Sequence, residues 1–257
     1  METPFNVVIP ARYASSRLPG KPLLTIADKP MLQHVYERAL ESGAAHVVIA
    51  TDDQRIEDAC ELFSANVCIT KATHQSGTDR IAEVIQRLDW SDDTIVVNLQ
   101  GDEPLIQPTL ISQVAEDLAL HSRAAIATLC SPIHTAAELL DPHVVKVVTD
   151  HQGYAMYFSR AAVPWDRDAF AIDMDALPEN SKHYRHIGLY AYKAGFIQHY
   201  SELKPCYIEQ VESLEQLRAM WNGYAIHVSI SEELPAHGVD TAEDLERVRQ
   251  LLSVDKI

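Results

Sequence analysis

Apolar residues along the first 120 positions follow two alternating patterns. Short continuous runs at Phe5–Pro10, His46–Thr51, Asn66–Thr70 and Thr94–Leu99 predict buried strands. Between them, apolar residues recur every three or four positions and predict helices. These are Met31–Ser42, closed by Gly43; Gln54–Phe63, with Ile56, Ala59, Cys60 and Phe63 on one side; Thr78–Leu88, with Ile81, Val84, Ile85 and Leu88; and Thr109–Leu120, introduced by Pro108. A strand that is apolar throughout leaves no face for water. Strands of this kind joined by helices predict a parallel sheet covered on both sides, an α/β architecture.

The second half is less regular. Ala124–Leu129, Val144–Thr149 and Tyr154–Phe158 predict strands, the last two forming a hairpin that turns at His151-Gln152-Gly153. Residues 164–184 are polar and irregular and carry Pro164 and Pro178, which marks an excursion from the main domain. Ile187–Tyr192 returns as a strand, and helices are predicted at Ala194–Leu203 and Glu209–Trp221. Tyr224–Ile230 is a late strand and Thr241–Leu252 a terminal helix capped by Asp240 or Thr241. Neither a repeat nor a linker interrupts the chain, so one domain over residues 1–257, with an inserted subdomain at about 130–190, is expected.

Charge narrows the partners. With 21 Lys and Arg against 37 Asp and Glu, the net charge of −16 argues against nucleic acid and anionic membrane surfaces. The four cysteines form no C-x-x-C pair, which leaves reduced, buried thiols as the expectation. No apolar run approaches the roughly 18 residues of a membrane span, and Met-Glu-Thr-Pro leads straight into a strand without a signal-peptide pattern. A cytoplasmic location is expected.

Against that acidic background, the loop after the first strand stands out. Arg12, Ser15, Ser16, Arg17, Gly20 and Lys21 put three cations, two hydroxyls and a glycine directly after the run ending at Pro10 and Ala11. Cations supply charge, hydroxyls and backbone N–H groups supply donors, and glycine lets the backbone approach; together they suit a bound anion. Asp102, in Asn98-Leu-Gln-Gly-Asp-Glu-Pro104, follows the fourth strand, where a carboxylate suits Mg²⁺ bridging to phosphates. Asp240 reads as the cap of the terminal helix, as a second metal carboxylate, or as both, since a cap needs only one carboxylate oxygen. His74-Gln75-Ser76-Gly-Thr-Asp-Arg80 opens a helix and reads equally as a nucleotide contact or as a capping motif with a surface arginine. His186 and Tyr190 share one strand face across Gly188, which suits a sugar pocket or a buried core. Glu212, Glu215, Gln216 and Arg218 share one predicted helix, of which one or two residues would enter a site. The absence of Walker A, G-x-G-x-x-G, G-x-S-x-G and H-E-x-x-H patterns disfavours P-loop kinases and dinucleotide dehydrogenases.

Taken in order, Pro-Ala-Arg-Tyr-Ala-Ser-Ser-Arg-Leu-Pro-Gly-Lys-Pro-Leu, Ala-Thr-Asp-Asp, His-Gln-Ser-Gly-Thr-Asp-Arg, Asn-Leu-Gln-Gly-Asp-Glu-Pro, Tyr-Phe-Ser-Arg-Ala-Ala-Val-Pro-Trp-Asp-Arg-Asp, Arg-His-Ile-Gly-Leu-Tyr-Ala-Tyr, Leu-Glu-Gln-Leu-Arg and Gly-Val-Asp-Thr-Ala-Glu-Asp-Leu resemble the 3-deoxy-manno-octulosonate cytidylyltransferase family over about residues 6–250. The resemblance implies a Rossmann-like nucleotide-diphospho-sugar transferase fold with a dimerisation or sugar-side region in the second half, and a homodimer. It implies transfer of CMP from CTP to the sugar acid Kdo for lipopolysaccharide synthesis, with 8-amino-Kdo or sialic acid as alternative acceptors. It also implies catalytic roles for Arg12, Lys21, Asp102 and Asp240, with Mg²⁺ on the two aspartates. Pro10, Ala11, Arg12, Ser15, Ser16, Lys21, Gln75, Ser76, Arg80 and Gln100 would bind the nucleotide, and Gln100, His186, Tyr190, Glu215 and Gln216 the sugar.

Overall fold

Val7 and Ile9 point to one side of the first strand and Val8 to the other, and all three are fully buried. This two-sided burial organises the whole molecule, analysed as a computed structural model. The structure describes residues 3–14, 18–74, 76–178, 180–231, 233 and 238–254. The first half comprises β1 (Phe5–Pro10), the small strands β2 (Thr25–Ile26) and β3 (Lys29–Pro30), α1 (Met31–Glu41), β4 (His46–Thr51), α2 (Gln54–Glu61), β5 (Val67–Ile69), α3 (Gly77–Arg87), β6 (Ile95–Asn98) and α4 (Pro108–Leu120). The second half comprises β7 (Ala124–Pro132), α5 (Ala136–Leu140), β8 (Lys146–Thr149), β9 (Ala155–Ser159), α6 (Arg167–Phe170), β10 (Tyr184–Lys193), α7 (Ala194–Tyr200), α8 (Tyr207–Glu212), α9 (Gln216–Trp221), β11 (Ala225–Ile230) and α10 (Ala242–Val254).

Strand order in the main sheet is β11-β7-β10-β6-β1-β4-β5, with β8 and β9 attached beside the start of β10. The β6-β1-β4-β5 part is parallel, as its unbroken apolar strands require, while β10 runs antiparallel to β6, β7 and β8. Helices α1 and α4 cover one face through Leu32, Val35, Leu110 and Val114, and α3 and α7 cover the other through Ile81, Ile85, Phe196 and Ile197. The predicted hairpin at residues 151–153 joins β8 to β9 as expected.

Several elements differ from the sequence expectation: α5 and α6 were not expected, β10 starts at Tyr184 rather than Ile187, and two further departures fall at turns. Glu209–Trp221 is two helices, broken at Ser213, whose φ of 52° is left-handed. Glu-Ser-Leu-Glu carries no Gly or Pro to announce such a break. The β2–β3 hairpin turns at Ala27 and Asp28, with φ of 46° and 70°, and an alanine there gives no turn signal either.

One cluster outside the sheet crevice resembles a metal site. Asp117, His121 and His227 bring ligand-type atoms within 4.8 Å of one another. The two imidazoles are stacked, however, with centroids 3.4 Å apart and planes 12° from parallel, so no single ion lies along both sets of ring lone pairs. Both nitrogens of His227 face oxygens instead, Asp117 Oδ2 at 2.7 Å and Gln152 O at 3.0 Å. Burial disfavours the charged ring, but Asp117 outweighs it and the His227 pKa is raised. The cluster fastens β11 to α4 and to the β8–β9 turn.

Candidate active site

Adjacent parallel strands β1 and β6 end side by side, and the loops leaving them build the site. Gly20, with φ of 68°, turns the first loop into a short 3₁₀ segment at Lys21–Leu23. In the second, Gly101 passes so close to Pro10 that an added Cβ would lie 3.2 Å from its carbonyl oxygen. These approaches bring Lys21 Nζ to 2.6 Å from Asp102 Oδ2 and 3.0 Å from Asp240 Oδ1. Burial works against the lysine's charge, but the two carboxylates outweigh it and raise its pKa. Beside them, burial and the Asp102 charge push the Glu103 carboxyl up to about 8, against the opposing pull of Lys21.

Asp240 arrives here from 138 positions beyond Asp102 because the end of the chain docks on the same region. Val239 N–H donates to Asp102 O at 2.8 Å, and Val239 packs with Ile26, Met31, Leu245 and Val248 in an apolar cluster beneath the loops. Thr241, not Asp240, caps α10: its hydroxyl accepts from Asp244 N–H, and the Asp244 carboxylate accepts from Thr241 N–H in return. The Asp240 carboxylate faces Lys21.

Three cavities meet at the exposed Gln100. One of about 380 Å³ is lined by the candidate nucleotide residues Pro10, Ala11, Arg12 and Lys21 and by the candidate metal carboxylates Asp102 and Asp240. A second, of about 270 Å³, is lined by Thr78, Asn98, Tyr190, Tyr192, Glu215 and Gln216. The third, about 140 Å³, holds His186 with Glu103, Arg185 and Gly238. The sugar-side candidates therefore divide between two compartments. A bulge in β10 between Ile187 and Tyr190 interrupts the simple alternation expected of the strand, although the two rings remain in contact at 5.3 Å. The break at Ser213 places Glu215 and Gln216 on the wall of the second cavity, and burial raises the Glu215 pKa above the usual carboxylate range. Asn98, Tyr192 and Glu103 were not expected from the sequence. Asn98 and Tyr192 read as ordinary strand positions and Glu103 as turn chemistry.

The α3 motif resolves toward structure. Ser76 is the cap, accepting from Asp79 N–H at 3.1 Å, while Gly77 and Thr78 line the cavities. Arg80 is not a surface residue. It is 1% exposed, ion-paired with Asp52 at 3.1 Å and bonded to Thr70, so it anchors the start of α3 from beneath. Ser15, Ser16 and Gln75 lie outside the described residues. Arg12 donates to His74 O at 3.3 Å, and His74 is held by Glu83 at 2.5 Å. Glu83 is buried, which alone would raise its pKa, yet bonds from Lys71 N–H, His74 and Arg87 bring it down to about 2. Its folded pKa is depressed, so its contribution is full above the unfolded value near 4.5 and is lost as pH falls toward 2. Glu83→Gln is expected to cost about 3 kcal/mol at neutral pH and to flatten the pH dependence of urea unfolding between pH 4.5 and 2. An unchanged pH profile would contradict that assignment.

Comparison with known proteins identifies the family. Residues 6–230 match the cytidylyltransferase family. The chain is 58% identical to a 3-deoxy-manno-octulosonate cytidylyltransferase of Pseudomonas fluorescens, covering 98% of this chain and 99% of the relative. It is 57% identical to the protein of that name from Pseudomonas syringae pv. syringae, with the same coverage. A solved structure of CMP:2-keto-3-deoxy-manno-octonic acid synthetase complexed with CTP superposes with a TM-score of 0.89 at 44% identity, covering 98% of this chain and 100% of the other. A cytidylyltransferase from Leptospira borgpetersenii, 17% identical, shares the fold with a TM-score of 0.63 over 97% of this chain and 87% of its own. With a family model matched over residues 6–230 and relatives 57–58% identical over nearly the whole chain, this chain belongs to the 3-deoxy-manno-octulosonate cytidylyltransferase family.

Proposed function

We propose that this protein transfers the cytidylyl group of CTP to the anomeric 2-hydroxyl of Kdo, releasing pyrophosphate, and so supplies the activated sugar for lipopolysaccharide synthesis. The observation that carries the reading is the Lys21 ammonium held between Asp102 and Asp240, on the wall of one cavity that meets a second at Gln100. The hydroxyl oxygen attacks the α-phosphorus, the bond to the β-phosphate oxygen breaks, and the electron pair leaves with pyrophosphate. The hydroxyl proton passes to solvent. Such a transfer needs alignment and charge neutralisation rather than a covalent nucleophile. Arg12 and Lys21, which line one cavity, would meet the phosphates, Lys21 countering the charge that grows on the leaving group. Gln100, at the meeting point, would align the two substrates.

The donor set at Lys21 suits Mg²⁺: two carboxylates, hard oxygen donors, converge on one cation position. Asp102 and Asp240 would hold the ion, which when bound neutralises phosphate charge and acidifies the attacking hydroxyl. Tyr190, Glu215 and Gln216 present hydroxyl, carboxyl and amide groups suited to a polyhydroxylated acid. We further place the protein in the cytoplasm as a homodimer. Among the described residues no helix is long and apolar enough to cross a membrane. Pyrophosphate release with CTP and Mg²⁺ tests the reading, offering Kdo, 8-amino-Kdo and sialic acid in parallel. Release with Kdo is expected to dominate. Release only with another acid would reassign the acceptor, and none with any acceptor would refute transferase activity.

A further inference from the structure

Thr128 lies in the middle of β7 between β10 and β11 and is fully buried. Its hydroxyl oxygen is within bonding distance of three groups: Leu189 O at 2.8 Å, Ile187 O at 3.1 Å and His186 Nε2 at 2.9 Å. Two carbonyls converge on it because Gly188 and Leu189 are inserted in β10 without partners on β7. Carbonyl oxygens can only accept, whereas Nε2 can donate or accept; giving the single hydroxyl hydrogen to Nε2 would leave both carbonyls facing hydroxyl lone pairs, so the hydrogen goes to the carbonyls. Toward the histidine, Thr128 can then only accept. His186 must carry its hydrogen on Nε2, and Nδ1 is the bare nitrogen, without a bonding partner among the described residues, on a ring that lines the cavity beside Gln100.

We propose that Thr128 is a positioning residue that fixes His186 in its Nε2–H form, so that Nδ1 accepts a hydrogen bond from a hydroxyl of the sugar acid. The role of His186 is then to read a donor on the substrate. It is not a cationic anchor for the carboxylate. The surroundings agree: Phe158 packs edge-on against the ring at 5.1 Å and Tyr190 at 5.3 Å, and burial lowers the His186 pKa to about 3, keeping the ring neutral. Fixing one nitrogen by a hydrogen bond to the other is how a protein selects a histidine tautomer.

This inference rests on the Kdo reading for its ligand but not for its chemistry, and the test separates the two. Nitrogen-15 NMR of the substrate-free protein, with the His186 signals identified by their loss in His186→Asn, reports the tautomer without any turnover. A hydrogen on Nε2 and a bare Nδ1 are expected; a hydrogen on Nδ1, or a charged ring at pH 7, overturns the proposal. Thr128→Val removes the hydroxyl at nearly constant volume. It is expected to raise the KM for Kdo about tenfold with the KM for CTP unchanged, and to yield a mixture of tautomers. Thr128→Ser, which keeps the oxygen, is expected to restore both. Equal losses toward CTP and Kdo, or an unaltered Kdo KM in folded Thr128→Val, would reduce Thr128 to a strand-packing residue.

Discussion

Lys21→Ala is expected to lower kcat about 10²–10³-fold while the KM for CTP changes little. The ammonium is half of a charge arrangement that changes during the reaction. Before transfer, the triphosphate charge is spread over three phosphates. As the bond to the β-phosphate opens, charge concentrates on the departing pyrophosphate, and a cation fixed beside it gains interaction energy at that moment. Lys21 is close at hand: its side chain is 12% exposed on the cavity wall, and with Asp102 and Asp240 taken up by Mg²⁺ the ammonium would turn to the phosphates. A cation already at the cavity wall needs only a short movement to meet the departing group, which favours electrostatic stabilisation of the transition state. Steady-state kinetics in both substrates, with circular dichroism to verify folding, checks this. A raised KM with unchanged kcat would show that the lysine only binds CTP.

The parallel half of the sheet was legible in the sequence because burial on both faces leaves a strong signal. His46–Thr51 matches β4 at both ends, and Phe5–Pro10 matches β1. Arg12, Lys21 and Asp102 were legible for a related reason, since they follow apolar runs at the strand ends where α/β sheets place ligands. What escaped depends on geometry that no residue type announces. The φ of 52° at Ser213 and the two-residue bulge at Gly188-Leu189 decide which cavity receives Glu215, Gln216, Tyr190 and His186. Arg80 misled because an arginine one turn into an amphipathic helix normally reaches water. Here Asp52, in the turn after β4, and Thr70, beyond β5, give it partners from other elements, Asp52 from 28 positions away. Thr128 escaped for the same reason, as a small polar residue in an apolar strand whose partners come from a strand some 60 positions away.

Asp102→Asn is expected to leave the fold intact and to lower kcat/KM by about 10²–10³-fold. The substitution is nearly isosteric, and an amide oxygen can still accept from Lys21 Nζ, so the 2.6 Å contact has a neutral replacement. Asp102 is partly exposed and its loop is also fixed by backbone bonds, including Val239 N–H to Asp102 O, which the change does not touch. What is lost is the negative charge. An amide is a weaker ligand than a carboxylate for a hard divalent cation, so the Mg²⁺ concentration for half-maximal activity should rise about tenfold or more. Neighbouring charges report the same loss. With Asp102 neutral, one of the two carboxylates repelling Glu103 is gone, and the Glu103 pKa should fall from its value near 8. A Mg²⁺ titration of initial rates, set beside a melting curve, distinguishes the outcomes. Lost activity with an unshifted melting point and a displaced Mg²⁺ requirement supports a metal-holding carboxylate. Unchanged turnover in a folded variant would remove Asp102 from the reaction, and with it the reason for Asp240 to be carried back across the sheet edge to meet it.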